Sequence, residues 1–138
     1  MFYIWSSIMK NRKRVICHVP SKVKELIVNN YSPSGTRRDK LIFATMVKYY
    51  ITFPAKYVVH ETDPEMEKVI SAIEKNDTAE IGFSLTEFDF NHLKHVSDIS
   101  FRSIIQQSTL ALCSMAIYMK KNKFKSYQLT EDLKINFN

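Results

Sequence analysis

A chain of 138 residues, 45% hydrophobic and 25% charged with only two glycines, is long enough to bury roughly two-thirds of its unfolded surface around one core. Its composition excludes the disordered, fibrous and low-complexity classes. The net charge of +6 hides an asymmetry: residues 1–60 hold eleven Lys or Arg against only Glu25 and Asp39, whereas residues 61–138 hold nine against twelve Asp or Glu, so the halves stand at +9 and −3. That polarity suits an anionic partner on one side and head-to-tail contact between copies on another.

Phe2, Ile4, Ser6 and Ile8 alternate with Tyr3, Trp5 and Ser7, and Val15, Cys17 and Val19 alternate with Ile16 and His18. This period of two predicts two strands or one long one. The apolar opening has no basic segment before it, and Lys10-Asn-Arg-Lys-Arg14 follows directly, so it lacks signal-peptide order. Pro20-Ser21 ends the strand and starts a short helix with Val23, Leu26, Ile27 and Tyr31 at helical spacing, closed by Ser32-Pro-Ser-Gly-Thr36. From Arg37 to Tyr50 a helix followed by an extension is expected. Pro54 would break a helix running through it, so Phe53-Pro-Ala-Lys-Tyr-Val-Val59 reads as an apolar connection or edge strand.

Asp63-Pro64 is a helix start, with Glu65 and Glu67 in its first turn and Val69, Ile70 and Ile73 on its inner face, closing near Lys75-Asn76. Ile81, Phe83 and Leu85 alternate as a strand, and the shifted parity of Phe88 and Phe90 predicts a bulged or bent end. One long helix is expected from about Asp98 to Lys121, capped by Ser97 or Asp98. Lys120, Lys121 and Lys123 suit its end, and Phe101, Ile105, Ser108, Leu112, Met115 and Met119 form one face. Tyr127, Leu129, Leu133, Ile135 and Phe137 alternate as one or two terminal strands. No internal repeat is visible. The order gives a single α+β domain over 1–138, an antiparallel sheet packed against helices.

Most enzyme signatures are missing. Gly35 and Gly82 alone cannot build a phosphate-binding loop, and no nucleotide-binding, zinc-finger or nucleophile-elbow pattern occurs. His92-Leu-Lys-His95 has ligand spacing but no companion carboxylate or thiol cluster. Cys17 and His18 are neighbours on a strand and point to opposite faces. Cys17 and Cys113 form no disulfide framework and fit a reducing compartment. Asp63, Glu65, Glu67 and Asp77 are explained as helix-end capping. A small enzyme would need a pocket around His18, His60, His92 or His95. The chain is therefore read as non-enzymatic, with no cofactor and no metal.

The basic groups carry the most information: Lys10, Arg12, Lys13 and Arg14, then Lys22 and Lys24, then Arg37, Arg38 and Lys40. Three clusters with almost no acid among them predict an anion-binding surface for membrane or RNA. Tyr3 and Trp5 would stack on bases, sit at a membrane interface, or fill a core.

The aromatic opening strand, the basic segment, the helix over 21–31 and Gly35-Thr-Arg-Arg-Asp-Lys-Leu-Ile-Phe43 resemble the globular domain of the rhabdovirus matrix proteins. So do Phe53-Pro-Ala-Lys-Tyr-Val-Val59, Glu80-Ile-Gly-Phe-Ser-Leu-Thr86, Ile99-Ser-Phe-Arg102 and the ending Ile135-Asn-Phe137. The resemblance implies a protein that self-associates through Phe53, Pro54, Ala55, Tyr57, Val58 and Val59 and links the viral nucleocapsid to the inner face of the envelope. It would act in the virion and host cytoplasm, peripheral to the membrane, with no transmembrane span and no small-molecule substrate. Two alternatives stand beside it: a basic RNA-binding module, and a helical viral antagonist of host signalling.

Overall fold

The computed structural model describes residues 12–31 and 36–123, with the backbone alone at Tyr31 and over 36–39. The expected opening and terminal strands, over 2–9 and 127–137, lie outside the described residues. β1 (Lys13–Pro20) buries Val15, Cys17 and Val19 and turns Arg14, Ile16 and His18 outward, as its period of two requires. Pro20 lacks a donor to extend the ladder, and α1 (Ser21–Tyr31) begins at the next residue. α2 (Thr36–Thr52) follows. It stays helical where an extension was expected, because Met46, Val47, Tyr49, Tyr50 and Ile51 all find buried contacts on a helical surface.

The stretch around Pro54 is a connection and not an edge strand. Pro54 takes the first position of a helical turn, α3 (Pro54–Tyr57), where its missing N–H costs nothing. α4 (Pro64–Glu74) starts as the sequence predicts, Asp63 accepting from the Glu65 N–H at 2.9 Å. β2 (Thr78–Leu85) pairs antiparallel with β1 along its whole length, Lys13 opposite Leu85 and Pro20 opposite Thr78.

Two corrections concern the C-terminal half. Phe88 and Phe90 lie on α5 (Glu87–Ile99), capped by Thr86, and not on a bent strand end. The long helix, α6 (Ile104–Lys121), begins six residues later than expected, since Asp98 and Ile99 close α5. Between them Phe101 sits in the left-handed region at φ 56°. The Arg102 N–H reaches the Ser97 carbonyl at 3.0 Å and the Phe101 N–H the Asp98 carbonyl at 3.2 Å, which ends α5 in a Schellman motif. Ser103 and Gln106 then cap α6 reciprocally.

The described residues hold a strand–helix–helix unit twice, a repeat not visible in the amino-acid pattern. With Ile16 set on Gly82, the inward residues Val15, Cys17 and Val19 fall on Ile81, Phe83 and Leu85, and Ser21 on Glu87. Phe43, Val47 and Tyr50 of α2 likewise match the buried Ser108, Leu112 and Met115 of α6. Each second helix packs on the other unit's strand: α2 lies against β2, α6 against β1, and the two helices against each other. The units are therefore interlocked about a pseudo-two-fold axis through the Ile16–Gly82 pair. Met46, Val47, Phe83, Leu112 and Met115 fill the core between ribbon and helices.

Candidate functional site

Among the described residues the outer face of the ribbon is exposed at Arg14, Ile16, His18 and Glu80 and half-buried at Gly82 and Ser84, with His18 also lining a groove beside α4 and the start of α6. β1 presents Arg14, Ile16 and His18; β2 presents Glu80, Gly82 and Ser84. The cross-strand pairs are Arg14 with Ser84, Ile16 with Gly82, and His18 with Glu80. Ile16, at the centre, is an apolar side chain left 43% exposed. The Arg14 guanidinium leans diagonally over Gly82, occupying the space that a side chain there would fill.

Arg12 and Lys13 are exposed beside Arg14, so the first basic cluster stands at one end of the ribbon. The others divide. Lys24 donates from Nζ to the Glu80 carbonyl at 2.9 Å, at the opposite end. Lys22 instead lines a cleft of about 800 Å³ between α1 and α4, together with Lys68, Lys75, Lys120, Glu65 and Glu67, a surface of mixed sign. On α6, the Thr109 hydroxyl reaches the His18 carbonyl at 3.4 Å, which sets the start of that helix beside the His18–Glu80 end. The repeat correspondence then places the start of α2, where Arg37, Arg38 and Lys40 lie in sequence, at the Arg14 end. Lys10 lies outside the described residues.

The residues expected to mediate self-association are scattered. Tyr57 is wholly buried, its ring edge-on to Tyr118 at 4.7 Å and tilted against Tyr49 at 5.1 Å, so it belongs to the core and cannot meet a neighbour. Phe53 packs on Tyr49 at 5.5 Å. Pro54, Ala55 and Val58 are exposed. Val59 helps line a groove of about 560 Å³ between α4 and the start of α6, with Ile70, Ile73, Phe101 and Ile105. The groove residue that sequence reasoning assigned to a helix face, Phe101, is 97% exposed.

Titration explains why the thiols are not candidates for chemistry. Burial pushes the Cys17 thiol up, partly offset by a hydrogen bond with Thr109. Burial, with the Cys17 charge adding, pushes Cys113 up to about 12, far from the thiolate needed for attack. Burial likewise raises the Tyr50 phenol. His92 and His95 lie on α5. Among the described residues no three His, Cys, Asp or Glu side chains are grouped to hold a metal ion, and no helix is long and apolar enough to cross a membrane.

Comparison with protein-family models, with curated proteins and with solved structures finds no match to this chain.

Proposed function

We propose that this protein binds double-stranded DNA, laying the outer face of the β1–β2 ribbon in the major groove. The single observation that carries this is the exposed face itself. A two-stranded antiparallel ribbon is one of the two elements that the B-DNA major groove admits. This one, eight residues per strand, is ~26 Å long. It offers a guanidinium, an imidazole, a carboxylate, a hydroxyl and one aliphatic group, which between them suit the donors, acceptors and thymine methyls of base edges. Arg12, Lys13 and the exposed Lys40 supply phosphate contacts at one end, and the positive end of the α6 dipole favours phosphate at the other. The expected RNA partner fits less well, because the major groove of A-form RNA is too deep and narrow for side chains to read.

The test is fluorescence anisotropy with labelled duplex DNA and duplex RNA across a salt series. Binding to DNA that weakens steeply with salt, and is tighter than to duplex RNA, supports the reading. Equal binding to both, or none to DNA at low salt, overturns it.

A self-associating, matrix-like assembly protein is the second reading, favoured by the apolar groove that joins Val59 to Ile70, Ile73, Phe101 and Ile105. Such a protein grows in mass with concentration and more so with anionic liposomes. Light scattering on the parent chain and on the Phe53→Asp, Val58→Asp double variant tests it: a constant monomer mass removes this reading, and oligomers unchanged by the double variant remove the loop from it.

A further inference from the structure

We infer that the duplex site read by this ribbon is not a palindrome; this rests on the duplex-DNA reading above. Two-fold proteins made of identical chains read sites with matching two-fold symmetry, because each half presents the same side chains to each half-site. Here both halves come from one chain, and the residues related by the pseudo-axis differ in chemistry. Arg14 corresponds to Glu80, Ile16 to Gly82 and His18 to Ser84.

The differences translate into bases. Arg14 is exposed on the face, and arginine pairs bidentately with guanine O6 and N7. Glu80, also exposed, can only accept, and its partner in the major groove is the cytosine amino group. A symmetric site would need guanine at both positions, on opposite strands. Cytosine under Glu80 instead puts both guanines on the same strand. At the centre Ile16 supplies methyl groups for a thymine methyl, whereas Gly82 supplies none and is covered by the Arg14 guanidinium, so the asymmetry continues across the axis. The ends differ in charge as well: Arg12 and Lys13 flank Arg14, whereas at the Glu80 end the Lys24 ammonium on the Glu80 carbonyl is offset by Asp77. One orientation on the duplex is therefore preferred.

The test is selection from a random duplex library by the full chain, with one-to-one complexes isolated by native electrophoresis and sequenced. The expected motif lacks two-fold symmetry and has its two specified guanines on one strand. Arg14→Ala should lose discrimination at one base pair only, roughly 5- to 150-fold. Glu80→Arg, a change at an exposed position, should move the preference beneath β2 to guanine on the other strand and make the motif more symmetric; thermal melts confirm that both variants fold. A palindromic motif, a parent motif without base preference, or an unchanged motif in Glu80→Arg overturns the inference and leaves the DNA reading standing. Failure to retain any duplex at low salt overturns both.

Discussion

Arg14 and Gly82 occupy one space: a Cβ built on Gly82 would stand 2.8 Å from Nη2 of the Arg14 guanidinium. The glycine leaves room for that guanidinium mid-strand, between Ile81 and Phe83, where no turn geometry calls for it. Gly82→Ala should displace only the far end of a flexible side chain. Stability should hold or rise by up to ~1 kcal/mol, since alanine loses less entropy in a strand. Urea melts check this, and duplex binding should show weaker base preference with an unchanged salt slope.

Arg12 and Lys13 are exposed beside Arg14 at the basic end of the ribbon. Replacing both with Gln should weaken binding to all duplexes alike and lower the salt slope by about 2. Anisotropy titrations across salt measure it; a sequence-selective loss would assign these residues to base contacts instead.

Phe101 holds a left-handed conformation at φ 56° that an L-residue with a Cβ adopts at a cost of roughly 1–2 kcal/mol. Its ring is 97% exposed, so little packing compensates. Phe101→Gly should stabilise the fold by about 1 kcal/mol in urea denaturation. Under the self-association reading the same variant should also reduce oligomer mass, because the exposed ring lines the apolar groove.

Cys113 titrates near 12 when folded against an ordinary thiol value of 9.0. The folded state therefore holds the proton more tightly than the unfolded chain. Its contribution to stability is complete below pH 9 and is lost as pH rises towards 12. The fall in stability across that range should be shallower in Cys113→Ala than in the parent chain, although the variant starts lower because a buried side chain is truncated. Melts at stepped pH compare the slopes.

The α+β class and β1, α1, α4 and the centre of β2 were legible because period-two and helical spacing survive wherever one face is buried. Pro20, Pro64 and Asp63 mark their ends by simple chemistry. The break at Phe101 was hidden because neither Gly nor Pro occupies it; the readable signal was the Ser103–Gln106 pair, a capping box within what looked like one helix. Tyr57 was misjudged for a related reason. An apolar run containing proline resembles a docking loop, and only the packing of Tyr49 and Tyr118 around it reveals a core residue. The repeat was invisible because its two copies fill equivalent positions with unlike residues, Ile42 and Phe43 in α2 against Gln107 and Ser108 in α6. The exposed ribbon face is hidden in the sequence because strand periodicity reveals which residues alternate, not that two distant strands are partners.

The pairing of β1 with β2 also sets an order of events at the ribosome. β1 leaves the exit tunnel first, yet the strand that completes it is made only after α1 to α4. At typical rates of synthesis that interval is on the order of 3–13 s. During it β1 is an unpaired edge with Val15, Cys17 and Val19 unburied, the kind of template that captures other nascent strands. Arg12, Lys13 and Arg14 stand at the head of that strand, so like-charge repulsion between two such edges discourages their pairing until the chain's own partner arrives.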